Sequence, residues 1–380
     1  MNIVKNNMIK RELASVINLK IGKGKAIIVL GPRQTGKTTL LKSLTQEMDN
    51  FLFLDCDDTL VREYLSVPKT ETLKQIIGKH KYIFIDEAQR VHDIGLTLKI
   101  ITDQITEVQL FVSGSSSFEL RNELNEPLTG RKWEYLLLPI SWNEYEDYIG
   151  FIKSQQLLED RLIYGMYPDV INHTGDEKEV LNQLSSSYLY KDLLAFKGIR
   201  KPEILEKLLR ALALQICNEV SYNELSNLVG IDRNTISSYI DLLEKAFVVF
   251  RLNPFARNIR NEISTNRKIY FYDNGIRNSI IANFNPVNLR QDIGALWENF
   301  MISERVKHIN NKRKFSNIYF WRTTQKQEID FIEESDGEIN AYEFKWNPKV
   351  KPKFSKTFTN NYSAETKVIN KKNFREFLLD

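Results

Sequence analysis

Five short apolar runs mark the first 140 residues: Ala26–Leu30, Phe51–Asp55, Tyr82–Asp86, Leu110–Ser113 and Glu134–Leu138. Stretches of helical periodicity separate them. Continuous apolar runs of this length fit strands buried on both faces, and their alternation with helices predicts a parallel sheet with crossover connections. Residues 1 to 24 read as a short amphipathic helix carrying Met8, Leu13, Val16 and Ile17, closed by the Gly22-Lys23-Gly24 turn. From Trp142 to about Gln215 the pattern is helical, interrupted at Gly165-Met-Tyr-Pro168.

The rhythm changes at residue 217. Val220 to Lys245 reads as two helices joined by a turn at Gly230, with Asp232 placed to cap the second. The apolar run Phe247–Phe250 would then be the first wing strand of a winged helix. Arg233, Asn234, Thr235, Ser237 and Ser238 give the second helix a polar start suited to DNA. A packing or lid module is the other reading, because only one basic side chain is clearly placed there.

Beyond Pro254 a further α/β pattern begins. An amphipathic helix runs from Ile293 to Val306, followed by strands at Asn317–Arg322, Glu328–Ile332 and Ala341–Trp346. Asp336-Gly337 between alternating strands predicts a two-residue hairpin turn. With that turn Ser335 faces Glu338, Asp330 faces Glu343 and Glu328 faces Lys345. Period two then gathers the four charged side chains on one face and leaves Ile329, Phe331, Tyr342 and Phe344 on the other. Like charges opposed in a sheet are unfavourable. A divalent cation shared by Asp330 and Glu343, with Lys345 beside an attacking water, is the simplest reason for the pair. A solvated hairpin face with a Lys–Glu pair is the alternative.

The chemistry is concentrated directly after the first apolar run. Gly31, Pro32, Arg33, Gln34, Thr35, Gly36, Lys37, Thr38 and Thr39 fit the phosphate-binding P-loop, in the strand-to-helix context it requires. The glycines let backbone N–H groups turn inward, and the helix that follows points its positive end at the phosphates. Lys37 reaches the β- and γ-phosphates of ATP, and the Thr38 hydroxyl ligates Mg²⁺. The third run ends in Asp86-Glu87, at the end of a parallel strand where ligands sit. Asp86 is placed for the Mg²⁺ shell, and Glu87 to orient or deprotonate the attacking water.

Bulk properties narrow the class. The 380 residues suit two or three domains, and 42% hydrophobic with 27% charged residues is ordinary globular composition. A formal charge of +4 permits a nucleic-acid partner without demanding one. Cys56 and Cys217 lie far apart, read as packing residues, and fit a reducing cytoplasm. No apolar stretch approaches the length of a membrane span and no secretory leader is evident, so neither a membrane nor secretion is expected.

These residues resemble the bacterial and archaeal AAA+-type ATPases that carry a C-terminal DUF4143 domain, over nearly the whole chain. The resemblance rests on Gly31 to Thr38, Ile85-Asp-Glu-Ala-Gln89, Ser113-Gly-Ser-Ser-Ser117, Thr129-Gly-Arg131, Gly165 to Pro168 and Tyr190-Lys-Asp192. It implies an α/β architecture: a P-loop NTPase core (1–141), a helical lid (142–216), the winged-helix module (217–255) and a restriction-endonuclease-like domain (256–380). The tail resembles a PD-(D/E)xK nuclease fold, with Asp330 as its first acid, Glu343-Phe-Lys345 as its acid-x-lysine and Glu298 as the upstream helical acid. Ile329 stands where the motif has proline. Ser113 sits where a γ-phosphate sensor would stand, with a simple loop serine as the alternative. Arg131 is either a phosphate-sensing or intersubunit arginine or an ordinary surface group. The implied cofactors are ATP and Mg²⁺, with a second divalent cation at Glu298, Asp330 and Glu343. The implied partners are DNA or RNA, a protein partner or a second copy of the chain. Two functions follow: an ATPase coupled to a nucleic-acid-processing domain, or a nucleotide-dependent switch whose nuclease-like domain docks proteins.

Overall fold

The computed structural model describes residues 8–45, 48–115, 127–189, 201–255, 267–323, 325 and 327–379. The Ser116-Ser117 and Tyr190-Lys-Asp192 positions lie outside the described residues. Two compact units divide the chain, Met1–Pro139 and Ile140–Asp380. Among the described residues no helix is long and apolar enough to cross a membrane.

The first unit is built on a five-stranded, wholly parallel sheet. Its strands are β1 (Ala26–Leu30), β2 (Phe51–Asp55), β3 (Tyr82–Asp86), β4 (Gln109–Gly114) and β5 (Lys132–Leu136), in the order β2-β3-β4-β1-β5. Strand alternation sorts the apolar residues into two layers. Ile28, Leu30, Ile83, Ile85 and Val112 face Leu73, Ile94, Leu98 and Ile101. Ile27, Val29, Phe84 and Phe111 face Leu13, Ile17, Leu40 and Leu41 from the helices Leu13–Asn18 and Lys37–Thr45. Burial on both faces explains the continuous apolar runs. The last strand begins at Lys132, two residues before its expected start at Glu134.

In the second unit a mixed seven-stranded sheet runs in the order β12-β11-β10-β9-β7-β8-β6. Its strands are β6 (Glu219–Val220), β7 (Val249–Pro254), β8 (Arg267–Phe271), β9 (Asn317–Arg322), β10 (Glu328–Ser335), β11 (Glu338–Phe344) and β12 (Ala364–Ile369). This sheet crosses the boundary drawn at 255/256, and one compact unit contains all three segments expected beyond residue 141. The helix pair Tyr222–Val229 and Arg233–Lys245 forms around Gly230 at φ +81°, and Asp232 accepts from Thr235 N at 3.0 Å. The strand that follows is not a free wing. β7 lies inside the sheet, antiparallel to β8 and parallel to β9, because Val249, Phe250 and Leu252 are all buried.

The helix Ile293–Asn311 is less amphipathic than its sequence pattern suggests. Trp297, Asn299, Met301 and Glu304 are buried along with Leu296 and Phe300. Asn299 anchors it to β8, accepting from Phe271 N (2.8 Å) and donating to Phe271 O (3.0 Å).

Candidate functional site

The loop after β1 takes a conformation that its residue types allow. Gly31 has φ +154°, and a Cβ there would lie 2.1 Å from the Leu137 carbonyl oxygen, so the close approach to that segment requires glycine. Gly36 has φ +87° and Gln34 φ +59°. Thr35 is buried and closes the loop by donating to Pro32 O at 2.9 Å; Arg33 is partly buried, and Thr39 is exposed on the helix. Lys37 is buried, and its Nζ donates to the carbonyls of Gly31 (3.1 Å) and Pro32 (2.8 Å), which holds the ammonium inside the loop.

Asp86 stands at the carboxyl end of β3, where the helix carrying Thr38 begins. Thr38 Oγ1 donates to Asp86 Oδ2 at 2.8 Å. Ser113, buried at the end of β4, donates a short hydrogen bond to Asp86 Oδ1. A hydroxyl and a carboxylate in contact at a helix N-terminus are the hard oxygen donors that Mg²⁺ takes beside a triphosphate, so the donor set fits. Glu87 adopts φ +50°, and its carboxylate accepts from Gln89 Nε2 and from Ser115 Oγ (3.2 Å). Gln89 and Ser115 thus fix the carboxylate beside the Asp86 cluster. Burial and the neighbouring Asp55 and Asp86 push the Cys56 thiol up to about 12, so it stays protonated.

Arg131 and Arg11 take opposite places relative to the loop. Arg131 precedes β5 at the amino end of the sheet, where its carbonyl accepts from Ala26 N, and its side chain pairs with Asp103. A five-residue strand separates that end from the loop, about 16 Å at the rise of a strand, so Arg131 does not reach the phosphate site of its own chain. Arg11, which sequence reasoning missed, grips the loop instead. Its guanidinium donates to Thr35 O (2.7 Å) and Leu138 O (2.6 Å). No motif marks a residue 24 positions upstream, and only the folded register reveals it.

The second unit holds the other expected cluster. The Asp336-Gly337 turn forms with both residues at positive φ (+51° and +86°), and β10 pairs with β11 from Ser335 opposite Glu338 to Phe331 opposite Tyr342. The ladder ends there, and the Asp330 carboxylate accepts from Phe344 N at 2.9 Å. Asp330 and Glu343 converge on one ammonium, with Lys345 Nζ 3.3 Å from Asp330 and 2.7 Å from Glu343. Burial and then Asp330 raise the Glu343 carboxyl. Burial lowers Lys345, but Asp330 and Glu343 outweigh it and leave it raised.

Three expectations for this cluster are corrected. A one-residue bulge between Ile329 and Ile332, in the pairing with β9, shifts the alternation. Ile329 therefore packs with Ile332 and Ala341, while Phe331 lies against Tyr342, Phe344 and Phe377 on the other face. Glu328 does not oppose Lys345. It pairs across β9 with Arg322, and its carboxylate contacts Lys268 closely. Glu298 is not brought to Asp330 and Glu343 as a third ligand, because its Oε1 accepts from Tyr270 OH (2.7 Å) and contacts Lys268 (3.3 Å). Among the described residues no three Asp, Glu, His or Cys side chains are grouped to hold a metal ion. Glu298 nonetheless senses the acids. Burial first, then Asp330 and Glu328, raise its carboxyl to about 7 against the opposing effects of Lys268 and Tyr270.

Lys268 was missed as well. It is buried on β8, where Glu298, Glu328 and Asp330 raise it above its ordinary value against the opposing effect of burial. The neighbouring Cys217 thiol is buried, donates to Ala295 O (3.1 Å), and is raised chiefly by burial.

Comparison with known proteins places family regions along this chain. Residues 23–146 match the AAA domain family, 155–287 a domain of unknown function termed DUF8612, and 293–378 the domain of unknown function DUF4143. The chain joins a P-loop AAA domain to a C-terminal DUF4143 domain. An uncharacterised protein of Mycobacterium tuberculosis is 26% identical over 341 residues, spanning 88% of this chain and 74% of the relative. One of Methanocaldococcus jannaschii is 24% identical over 358 residues, spanning 87% and 78%. Among solved structures, the Walker-type ATPase of Pyrococcus abyssi aligns over 73% of this chain and 97% of its own, with TM-score 0.55 and 14% identity. That likeness is one of fold, and with the parallel sheet it identifies the AAA domain as a P-loop ATPase fold.

Proposed function

We propose that the AAA domain binds and hydrolyses Mg·ATP, and that the C-terminal unit is a nuclease-like module that engages nucleic acid. The contact of Thr38 with Asp86, with Glu87 held alongside, carries the first half. Thr38 and Asp86 would hold Mg²⁺, which supplies charge neutralisation at the phosphates. Lys37 binds the β- and γ-phosphates, with the loop N–H groups around it. Ser113 holds Asp86 in place. Glu87 orients the attacking water and takes its proton, with its carboxylate held by Gln89 and Ser115. Arg131, distant in its own chain, would act only toward a second copy.

For the C-terminal unit the supporting observation is the convergence of Asp330 and Glu343 on Lys345. The ammonium stands in for a cation between two hard carboxylates, so the pair fits one divalent ion. The domain division at 142–216, 217–255 and 256–380 is part of this proposal, as is DNA or RNA contact by the helix Arg233–Lys245. Purified protein with Mn²⁺ should cleave single- or double-stranded DNA or RNA, and Asp330→Ala should abolish the cleavage. Equal cleavage by both proteins would refute a nuclease role. A second reading, a switch whose tail docks proteins, is favoured by one fact: each pair of acids already has a lysine as its internal partner. Cleavage by neither protein supports it.

A further inference from the structure

Two pairs of carboxylates in the C-terminal unit each share one lysine ammonium. Asp330 and Glu343 share the ammonium of Lys345. Glu298 and Glu328 share that of Lys268. Arg322 also contacts this cluster, 3.9 Å from Glu328 and 3.6 Å from Glu219. The two lysines differ in exposure. The Lys345 side chain is 29% exposed, that of Lys268 2%. Lys268 also lies over the Phe320 ring, 5.6 Å from its centroid, and Tyr270 completes the wall by donating to Glu298.

This difference decides which ammonium can give way. A lysine at the surface can swing its charge into water along a flexible stem. A buried ammonium between two carboxylates has no such route, since breaking the pair leaves uncompensated charges away from water. Lys268 also comes from the region matched by DUF8612, whereas Glu298, Glu328, Asp330, Glu343 and Lys345 all lie in the DUF4143 match. The site is therefore assembled from both regions.

We propose that Lys268 is a positioning residue that occupies, as a fixed ammonium, the cation place between Glu298 and Glu328, so that the site accepts one divalent cation, at Asp330 and Glu343. This rests on the cation reading proposed above. With Lys345 displaced, Asp330 and Glu343 bring two carboxylates to one divalent cation, and hard carboxylate oxygens suit Mg²⁺ or Mn²⁺. Lys345 is the group displaced on binding.

The test is Mn²⁺ titration of the full chain at pH 8 without nucleotide, in an Asp86→Asn background that silences the P-loop, by calorimetry and electron paramagnetic resonance. One ion should bind. Lys268→Met should raise the count to two, Lys268→Arg should leave it at one, and Asp330→Asn should remove it. Lys345→Met should tighten binding by at least about tenfold, because a competing cation is gone, with the count still one. Two ions in the Lys268-intact protein, or one in a folded Lys268→Met variant, overturns the place given to Lys268 and leaves the cation reading standing. No ion at all overturns the cation reading itself, and this proposal with it. Should Lys268→Met fail to fold, the count in the Lys268-intact protein and in Lys345→Met still decides, since two ions in either contradicts the proposal.

Discussion

Thr38 Oγ1 and Asp86 Oδ2 lie 2.8 Å apart, joining the start of a helix to the end of a strand 48 positions away. Each is a hard oxygen donor of the kind Mg²⁺ takes, and the Lys37 ammonium lies apart on the loop carbonyls. Loss of either should therefore weaken metal-dependent steps selectively. Asp86→Asn is expected to lower ATP turnover by at least about 100-fold, as removal of a charge-stabilising group does. Nucleotide binding without Mg²⁺ should change little. Fluorescent-nucleotide titrations with and without Mg²⁺ check this, and equal losses in both would point to a general collapse of the loop.

Arg11 links Thr35 O to Leu138 O, so it braces the phosphate loop from outside the AAA match. Arg11→Ala should raise the KM for ATP by roughly 10- to 100-fold, the cost of about one charge-assisted hydrogen bond, with a smaller change in kcat. Lysine cannot fork to two carbonyls, so Arg11→Lys should recover only part of the loss. Steady-state kinetics on the three proteins separate this bracing role from a catalytic one, which would move kcat first.

Gly31 cannot be replaced cheaply. A methyl group at residue 31 would meet the Leu137 carbonyl at 2.1 Å, on rigid backbone. Gly31→Ala should destabilise the first unit by about 2–4 kcal/mol, within the range for steric strain at a special backbone position. Thermal unfolding measures it. An unchanged midpoint would mean that the segment around Leu137 moves aside freely.

Glu298 gives a pH signature. Its folded carboxyl sits at about 7, above its ordinary 4.5, so the folded state holds a proton that the unfolded chain releases. Its contribution to stability is full below about pH 4.5 and is lost as pH rises through 7, by roughly 3 kcal/mol at most. Glu298→Gln should flatten that part of the stability-pH profile. Denaturant unfolding between pH 5 and 8 reads it out; a profile of unchanged slope contradicts the assignment.

How far the sequence revealed this arrangement depends on how local each cause is. The phosphate loop, β1 and β3 were legible because glycine spacing, a lysine and apolar runs act over a few residues. The Asp336-Gly337 turn was legible for the same reason, and with it the meeting of Asp330 and Glu343. The face of Ile329 was not, because a bulge against β9 depends on a strand whose register no local pattern reports. Arg131 and Glu298 were placed by analogy, and each is held elsewhere by a partner distant in sequence, Asp103 and Lys268. Arg11 and Lys268 carry no motif at all. Their roles arise only when the chain brings them to carbonyls or carboxylates far along it.

The central claim, that the loop at Gly31–Thr38 and the acids at Asp86-Glu87 form an ATP-hydrolysing site, is tested most directly by measuring ATP binding and turnover together. The measurement compares the native protein with Lys37→Ala and Glu87→Gln. The native protein should bind and hydrolyse Mg·ATP. Glu87→Gln should keep its affinity within about threefold while losing at least about 100-fold in turnover, because the phosphate cradle remains and the water is no longer oriented. Lys37→Ala should lose binding and turnover alike. Native affinity and turnover in the Lys37 variant would contradict the account.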